Sequence, residues 1–200
     1  VGTGIRQRGP SNVVERDEQR DWQDLRDGRP EACAELVRAN YQAVYRFLVH
    51  LTRDVHRAED LTQETFATAW ERIASFEGRA APSTWLHRIA YTKFIDAERS
   101  QRRAAAALER CPSRGESPDP LDIAMAGDEV RRLYQRLDEL DAADRAPLVL
   151  HYLQGLSYRQ MAVVLDEPVG TVKWRTSEAL GRLRTLLNDE VSDDVRQKIN

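Results

Sequence analysis

The residues of this chain best suited to chemistry are arginines and aromatics that share one side of a helix. Thr84, Trp85, Arg88, Thr92, Ile95, Arg99 and Arg102 fall on a common face at helical spacing, with Tyr91 at its edge. Cations interleaved with aromatic rings suit unpaired nucleic acid. Guanidinium groups track phosphates, and each base stacked on a ring contributes about 1–3 kcal/mol. Such a face can trap a base flipped from a duplex without any covalent step. The alternative is that Trp85 is simply core. A second group lies further on, where Gly170, Lys173, Trp174, Ser177, Glu178 and Gly181 project together from one helix. Lys173 can reach phosphates or guanine edges there, and Trp174 can lie against thymine methyls. A third group, Asp60, Gln63, Glu64, Ala67 and Glu71, makes an acidic face. Its ordinary reading is a solvated surface, but a basic partner helix would dock on it fast and with strong salt dependence.

Nothing comparable points to covalent catalysis. His50, His56, His87 and His151 are scattered, with no Cys or carboxylate at zinc-ligand spacing. A glycine-rich phosphate loop, a serine elbow and a paired-carboxylate motif are all missing. The sequence therefore predicts a protein that is not an enzyme and needs no cofactor, metal or small-molecule substrate.

Helices must position these groups. Apolar residues at three- and four-residue steps predict an amphipathic helix over 31–52, with Leu36, Val37, Ala43, Val44, Phe47, Leu48 and Leu51 on its inner side. A second covers 57–75, and the Gly- and Pro-containing stretch 76–82 must be a loop. Ser83 or Thr84 then caps a long helix running past Arg99. Further helical periods cover 130–140, 144–153, 157–165 and 169–187, and no credible strand appears. Within 156–175, Ser157 caps a short helix whose Met161, Ala162 and Leu165 point inward. Pro168 stops it, and a new helix buries Val172, Ala179 and Leu183. That is a helix-turn-helix, which places the start of its second helix in the DNA major groove. A merely solvated helical hairpin is the alternative.

The expected architecture is all-α. Residues 1–20 read as a flexible tail, 21–103 as the first helical module and 104–128 as a Pro-rich linker. The helix-turn-helix module follows at 129–190, and 191–200 is a second tail. Composition agrees: 41% hydrophobic residues allow a buried core, and 32% charged residues keep the chain soluble. Apolar runs are too short for a membrane span or a leader, and the two cysteines read as free thiols in a reducing compartment, so a cytoplasmic location is expected. The net charge of −3 argues against a general nucleic-acid coat. Acids dominate 54–77 and bases dominate 79–103, so adjacent segments face different partners.

The residues Gly155-Leu156-Ser157-Tyr158 followed by Pro168-Val169-Gly170-Thr171-Val172-Lys173 resemble region 4 of the extracytoplasmic-function (ECF) sigma factors. Glu59-Asp60-Leu61-Thr62-Gln63-Glu64-Thr65-Phe66 and the stretch 76–90 resemble region 2 of the same family. The resemblance implies an alternative sigma factor that directs bacterial RNA polymerase to specific promoters. It implies reading of duplex −35 DNA by Thr171, Lys173, Trp174, Arg175, Ser177 and Glu178. It implies opening of the −10 element by Arg79, Ser83, Thr84, Trp85, Arg88, Arg99 and Arg102. Docking on the clamp helices of core polymerase falls to Asp60, Gln63, Glu64 and Glu71, with the flap as a further contact and an anti-sigma factor as a further partner. Family members usually carry a small residue at Trp174, a leucine-like one at Thr176 and often a basic one at Glu178. A stand-alone helix-turn-helix regulator and a degenerate sigma-like adaptor are the competing readings.

Overall fold

The computed structural model describes residues 23–108 and 128–199, and every regular element among them is helical. After a short helical stretch at 23–26 come α1 (Pro30–Thr52) and α2 (Val55–Arg72), the latter closed by a 3-10 turn over Ile73–Ser75. Next come α3 (Pro82–Leu108), α4 (Asp128–Glu139) and α5 (Ala142–Leu148), which a π-helical turn over Val149–Leu153 continues. The last two are α6 (Tyr158–Leu165) and α7 (Val169–Ile199). Among the described residues no helix is long and apolar enough to cross a membrane, and no group of His, Cys, Asp or Glu could hold a metal ion.

Local chemistry sets the boundaries. Asp54 caps α2 by accepting from the Arg57 amide at 3.0 Å. The long helix α3 starts two to three residues earlier than a Ser83 or Thr84 cap would place it. Pro82 stands first, where its missing N–H has no helical partner to lose. At the other end α3 runs to Leu108, into the stretch expected as linker from 104, because Ala104–Ala107 are the strongest of helix formers. Similarly α7 continues to Ile199 where a tail from 191 was expected; no Gly or Pro interrupts 182–199. The expected tail over 1–20, Cys111 and most of the linker lie outside the described residues.

Val44, Phe47 and Leu48 of α1 pack with Ala58 and Leu61 of α2 and with Leu86, Ala90 and Phe94 of α3. In the second module Leu150, Met161, Val164, Leu165, Val172 and Ala179 do the same. Each of the larger side chains contributes about 1.5–3 kcal/mol by leaving water. Val37 departs from the expectation: with 39% exposure it lies outside this core, beside equally exposed Tyr41.

The two modules are in contact. The buried apolar cluster is continuous through both, α3 lies along α6, and α1 touches α5. At one end His50 of α1 stacks on Tyr134 of α4, with centroids 5.3 Å apart and planes 9° from parallel. Next to them Arg53 donates to the Asp138 carbonyl, and Arg145, 2% exposed, pairs with the Asp138 carboxylate at 3.4 Å. Burial, opposed by Asp138, pulls the Arg145 guanidinium down to about 10, so it remains charged at neutral pH.

Candidate nucleic-acid and polymerase interfaces

The helix-turn-helix is built as its sequence predicts. Ser157 and Gln160 form a reciprocal capping box at the start of α6, with the Gln160 side chain accepting from the Ser157 amide at 2.8 Å. The helix ends at Asp166, whose φ of 57° is left-handed, a conformation that Asp tolerates better than most residues. Met161 and Leu165 of α6 then meet Val172 and Ala179 of α7 in the interior. Thr176 is buried too, and its hydroxyl is satisfied by the Val172 carbonyl at 2.7 Å, which explains how a polar residue occupies a leucine-like position.

This leaves Thr171, Lys173, Trp174, Ser177 and Glu178 exposed on one side of the start of α7. Trp174 is 64% exposed, a large apolar surface with no partner ring among the described contacts. The Lys173 ammonium stands 5.8 Å from the Tyr158 ring centroid, and that ring in turn stacks on His151 at 4.6 Å. Arg175 does not join this face. Its guanidinium turns inward to the Glu167 carboxylate and donates to the Ala143 carbonyl at 2.5 Å, tying α7 to the turn and to α5. A duplex contact is not where the structure places it.

On α3 the expected strand-binding face divides. Arg88, Thr92, Arg99 and Arg102 are exposed, with Arg99 4.0 Å from Asp96 and Arg88 3.0 Å from Asp166. Thr84 is a correction: it is fully buried, because in the first turn of α3 it faces the interior rather than solvent. Ser83 is half-buried, and its carbonyl accepts from Nδ1 of buried His87 at 2.7 Å. Burial lowers the His87 pKa, so this ring is neutral. Trp85 lies between its two readings. It is half-buried, tilted on Phe76 at 4.7 Å, while its remaining surface lines a cavity of about 220 Å³. Arg72, Arg88, Lys93 and Asp96 border the same cavity, so an aromatic wall, three cations and one carboxylate surround one space. Arg79 sits apart in the loop, paired with Glu77 at 2.5 Å.

Asp60, Gln63, Glu64 and Glu71 are all exposed on α2, and Glu64 reaches Lys93 at 3.6 Å. The sequence reading missed their neighbours. Trp70, 59% exposed, stands one turn from Ala67 and two turns from Gln63, and Tyr41 stacks on Phe66 at 5.8 Å beside it. The available signal was an aromatic at the edge of the polar face of α2, where a solvated surface has no use for one.

An all-α chain with an outward helix-turn-helix and a cationic, aromatic-walled groove is a DNA-binding protein of the transcription class. The Sigma-70 region 2 family model matches residues 36–104, and the Sigma-70 region 4 model matches residues 130–183. The ECF RNA polymerase sigma factor SigC of Mycobacterium tuberculosis is 35% identical over 175 residues, covering 84% of this chain and 88% of that one. The sigma factor SigE of Mycolicibacterium smegmatis is 34% identical over 80% of this chain, which spans 63% of that longer relative. Among solved structures, the sigma factor RpoE of Bartonella quintana in complex with the anti-sigma factor NepR is similar at a TM-score of 0.69 and 26% identity, covering 76% of this chain and 94% of that one. The chain belongs to the ECF family of RNA polymerase sigma factors. Its relatives are transcription initiation factors rather than enzymes.

Proposed function

We propose that this chain is an alternative sigma factor that recruits core RNA polymerase to its promoters from the cytoplasm, without catalytic chemistry of its own. The acidic face of α2, Asp60, Gln63, Glu64 and Glu71, grips the clamp helices of the polymerase, and the second module meets the flap. Thr171, Lys173, Trp174, Ser177 and Glu178 read the −35 duplex. Arg88, Arg99 and Arg102 hold the backbone of the −10 strand, Arg79 and Ser83 serve the same element from the loop, and the exposed part of Trp85 offers a wall for a flipped base. Stacking of that base offsets part of the few kcal/mol of unpairing.

The observation that supports this best is the coexistence of two distinct DNA-suited surfaces, one fitted to a groove and one to a single strand. A repressor has no use for the second. An anti-sigma factor is a natural further partner, as NepR is for the similar RpoE. Run-off transcription with purified core polymerase tests the reading. New promoter-dependent starts are expected. Core binding without starts would indicate an adaptor, and operator binding without core would indicate a stand-alone regulator.

A further inference from the structure

We propose that the start of α7 divides its work on the duplex: Lys173 holds the backbone, while Trp174 and Glu178 select a thymine methyl and a cytosine amine within about two base pairs of each other. The inference rests on the sigma-factor reading above and names the bases that its duplex-reading face prefers.

Lys173 is set apart from the base readers. Its ammonium stands 5.8 Å from the Tyr158 ring centroid, which draws it back toward the start of α6. Tyr158 is itself held: the ring is half-buried and stacks on His151 with centroids 4.6 Å apart, and His151 Nδ1 donates to the Leu156 carbonyl at 2.9 Å. The first helix of a helix-turn-helix crosses the DNA backbone. A cation held over the first residue of that helix therefore meets phosphates rather than the floor of the groove. Arg159, exposed in the same turn, adds a second positive charge there.

Trp174 and Glu178 have no such tether. Four residues apart, they lie on one side of α7 and are separated by about 6 Å along its axis. Trp174 is 64% exposed and Glu178 is exposed, and among the described residues neither has a hydrogen bond, ion pair or ring contact. Base pairs stack at about 3.4 Å, so the two side chains span about two steps. In the major groove only thymine presents a methyl group, the natural counterpart of an exposed indole. Cytosine presents an amino donor to a carboxylate, whereas guanine presents only acceptors and adenine sets its N7 acceptor beside its amine. Glu178 thus works largely by exclusion, because a duplex without cytosine at this place leaves the carboxylate unpaired beside acceptors and phosphates.

The backbone around this pair is bare. Gly170 and Gly181 flank it on the same side, and a Cβ at either would meet nothing within 4 Å. Neither has a positive φ. Glycine inside a helix weakens it relative to alanine, so Gly181 serves no packing need of the protein itself. Its missing side chain lets a duplex close on Trp174 and Glu178 from outside.

Selection tests the proposal. Holoenzyme assembled from core polymerase and the full chain is given promoter fragments randomised across the −35 region. Enrichment of a thymine and a cytosine at that separation, on either strand, is expected. On the selected duplex, replacing this thymine by deoxyuridine removes the methyl alone. It should weaken wild-type binding about fourfold, the worth of one buried methyl group, and leave Trp174→Ala unaffected. Replacing the cytosine should weaken wild type about tenfold, as a single mismatched base does. Glu178→Ala should lose the cytosine preference, and Glu178→Gln should move it to adenine, whose N6 and N7 suit a carboxamide. Both native side chains are exposed, so melting temperatures should match wild type. An enriched element without this thymine and cytosine, wild-type indifference to deoxyuridine, or cytosine selection by Glu178→Ala would overturn the proposal and leave the sigma reading intact. If core polymerase ignores the chain, the sigma reading falls, and the same selection with the full chain alone still decides the base preference.

Discussion

Arg175 and Glu167 form an ion pair that fastens the start of α7 to the turn of the helix-turn-helix, and the Ala143 carbonyl takes a second guanidinium hydrogen bond. The side chains are only 18% and 27% exposed, so this is a partly buried contact rather than a surface one. Arg175→Ala leaves Glu167 without its cation, and a destabilisation of about 1–3 kcal/mol is expected. Thermal unfolding should register the loss. The salt dependence of promoter binding should stay unchanged, because Arg175 meets no phosphate in this arrangement.

Lys173→Ala behaves in the opposite way. Loss of one phosphate contact lowers the slope of log affinity against log salt by about 0.9. Melting temperature should be nearly unaffected, since the ammonium is exposed. Tyr158→Ala, which removes the ring beneath the ammonium, should weaken binding as well, whereas Tyr158→Phe keeps it. Titration of promoter binding across salt concentrations separates these variants.

On α2, Asp60→Arg combined with Glu64→Arg should abolish association with core polymerase while far-ultraviolet circular dichroism stays unchanged, because both side chains are exposed. Trp70→Ala should weaken association by about 2 kcal/mol, near thirtyfold, if this ring anchors the interface as exposed tryptophans in contact surfaces do. A pull-down with purified core checks both.

The pH dependence of stability has a definite sign at His87. The folded protein holds this ring neutral by burial, with its pKa below the ordinary 6.5. Below about pH 6.5 the unfolded chain therefore binds a proton that the folded one refuses, and stability falls as pH falls. Above that value the ring is neutral in both states and the effect vanishes. Urea titrations at pH 7.5 and pH 5.5 should show a lower midpoint at the acidic value. His87→Gln should reduce the difference between the two pH values.

Trp85→Ala should do two things at once, since the ring both packs on Phe76 and walls the cavity. Open-complex formation, read by permanganate, should fall more than closed-complex formation. The melting temperature should also fall, by an amount that Trp85→Phe largely restores.

Much of this was legible before any coordinates. The inner faces of α1, α3 and α7 follow from the spacing of Val44, Phe47 and Leu48, of Leu86 and Ala90, and of Val172, Ala179 and Leu183. The polar turn residues at Ser157 and Pro168 mark the helix-turn-helix because capping and ring closure are local physics. The rest depends on tertiary contacts that leave no period in the sequence. Thr84 looked outward on a helical wheel but is fully buried at the start of α3. Arg175 looked like a basic DNA contact, yet a carboxylate eight residues earlier claims it. Nothing in the pattern of α3 or α6 announces that they meet. Tyr91 and Ile95 satisfy an interface with DNA and an interface with Val164 and Leu165 equally well, and only the fold shows that the second is formed.

The central claim, that this polypeptide is a polymerase subunit, is tested most directly by equilibrium binding of the labelled full chain to purified core enzyme at low ionic strength. Saturable one-to-one binding that weakens with salt and is lost in the Asp60→Arg, Glu64→Arg variant is the expected result. A core enzyme that ignores the wild-type chain under those conditions would contradict it.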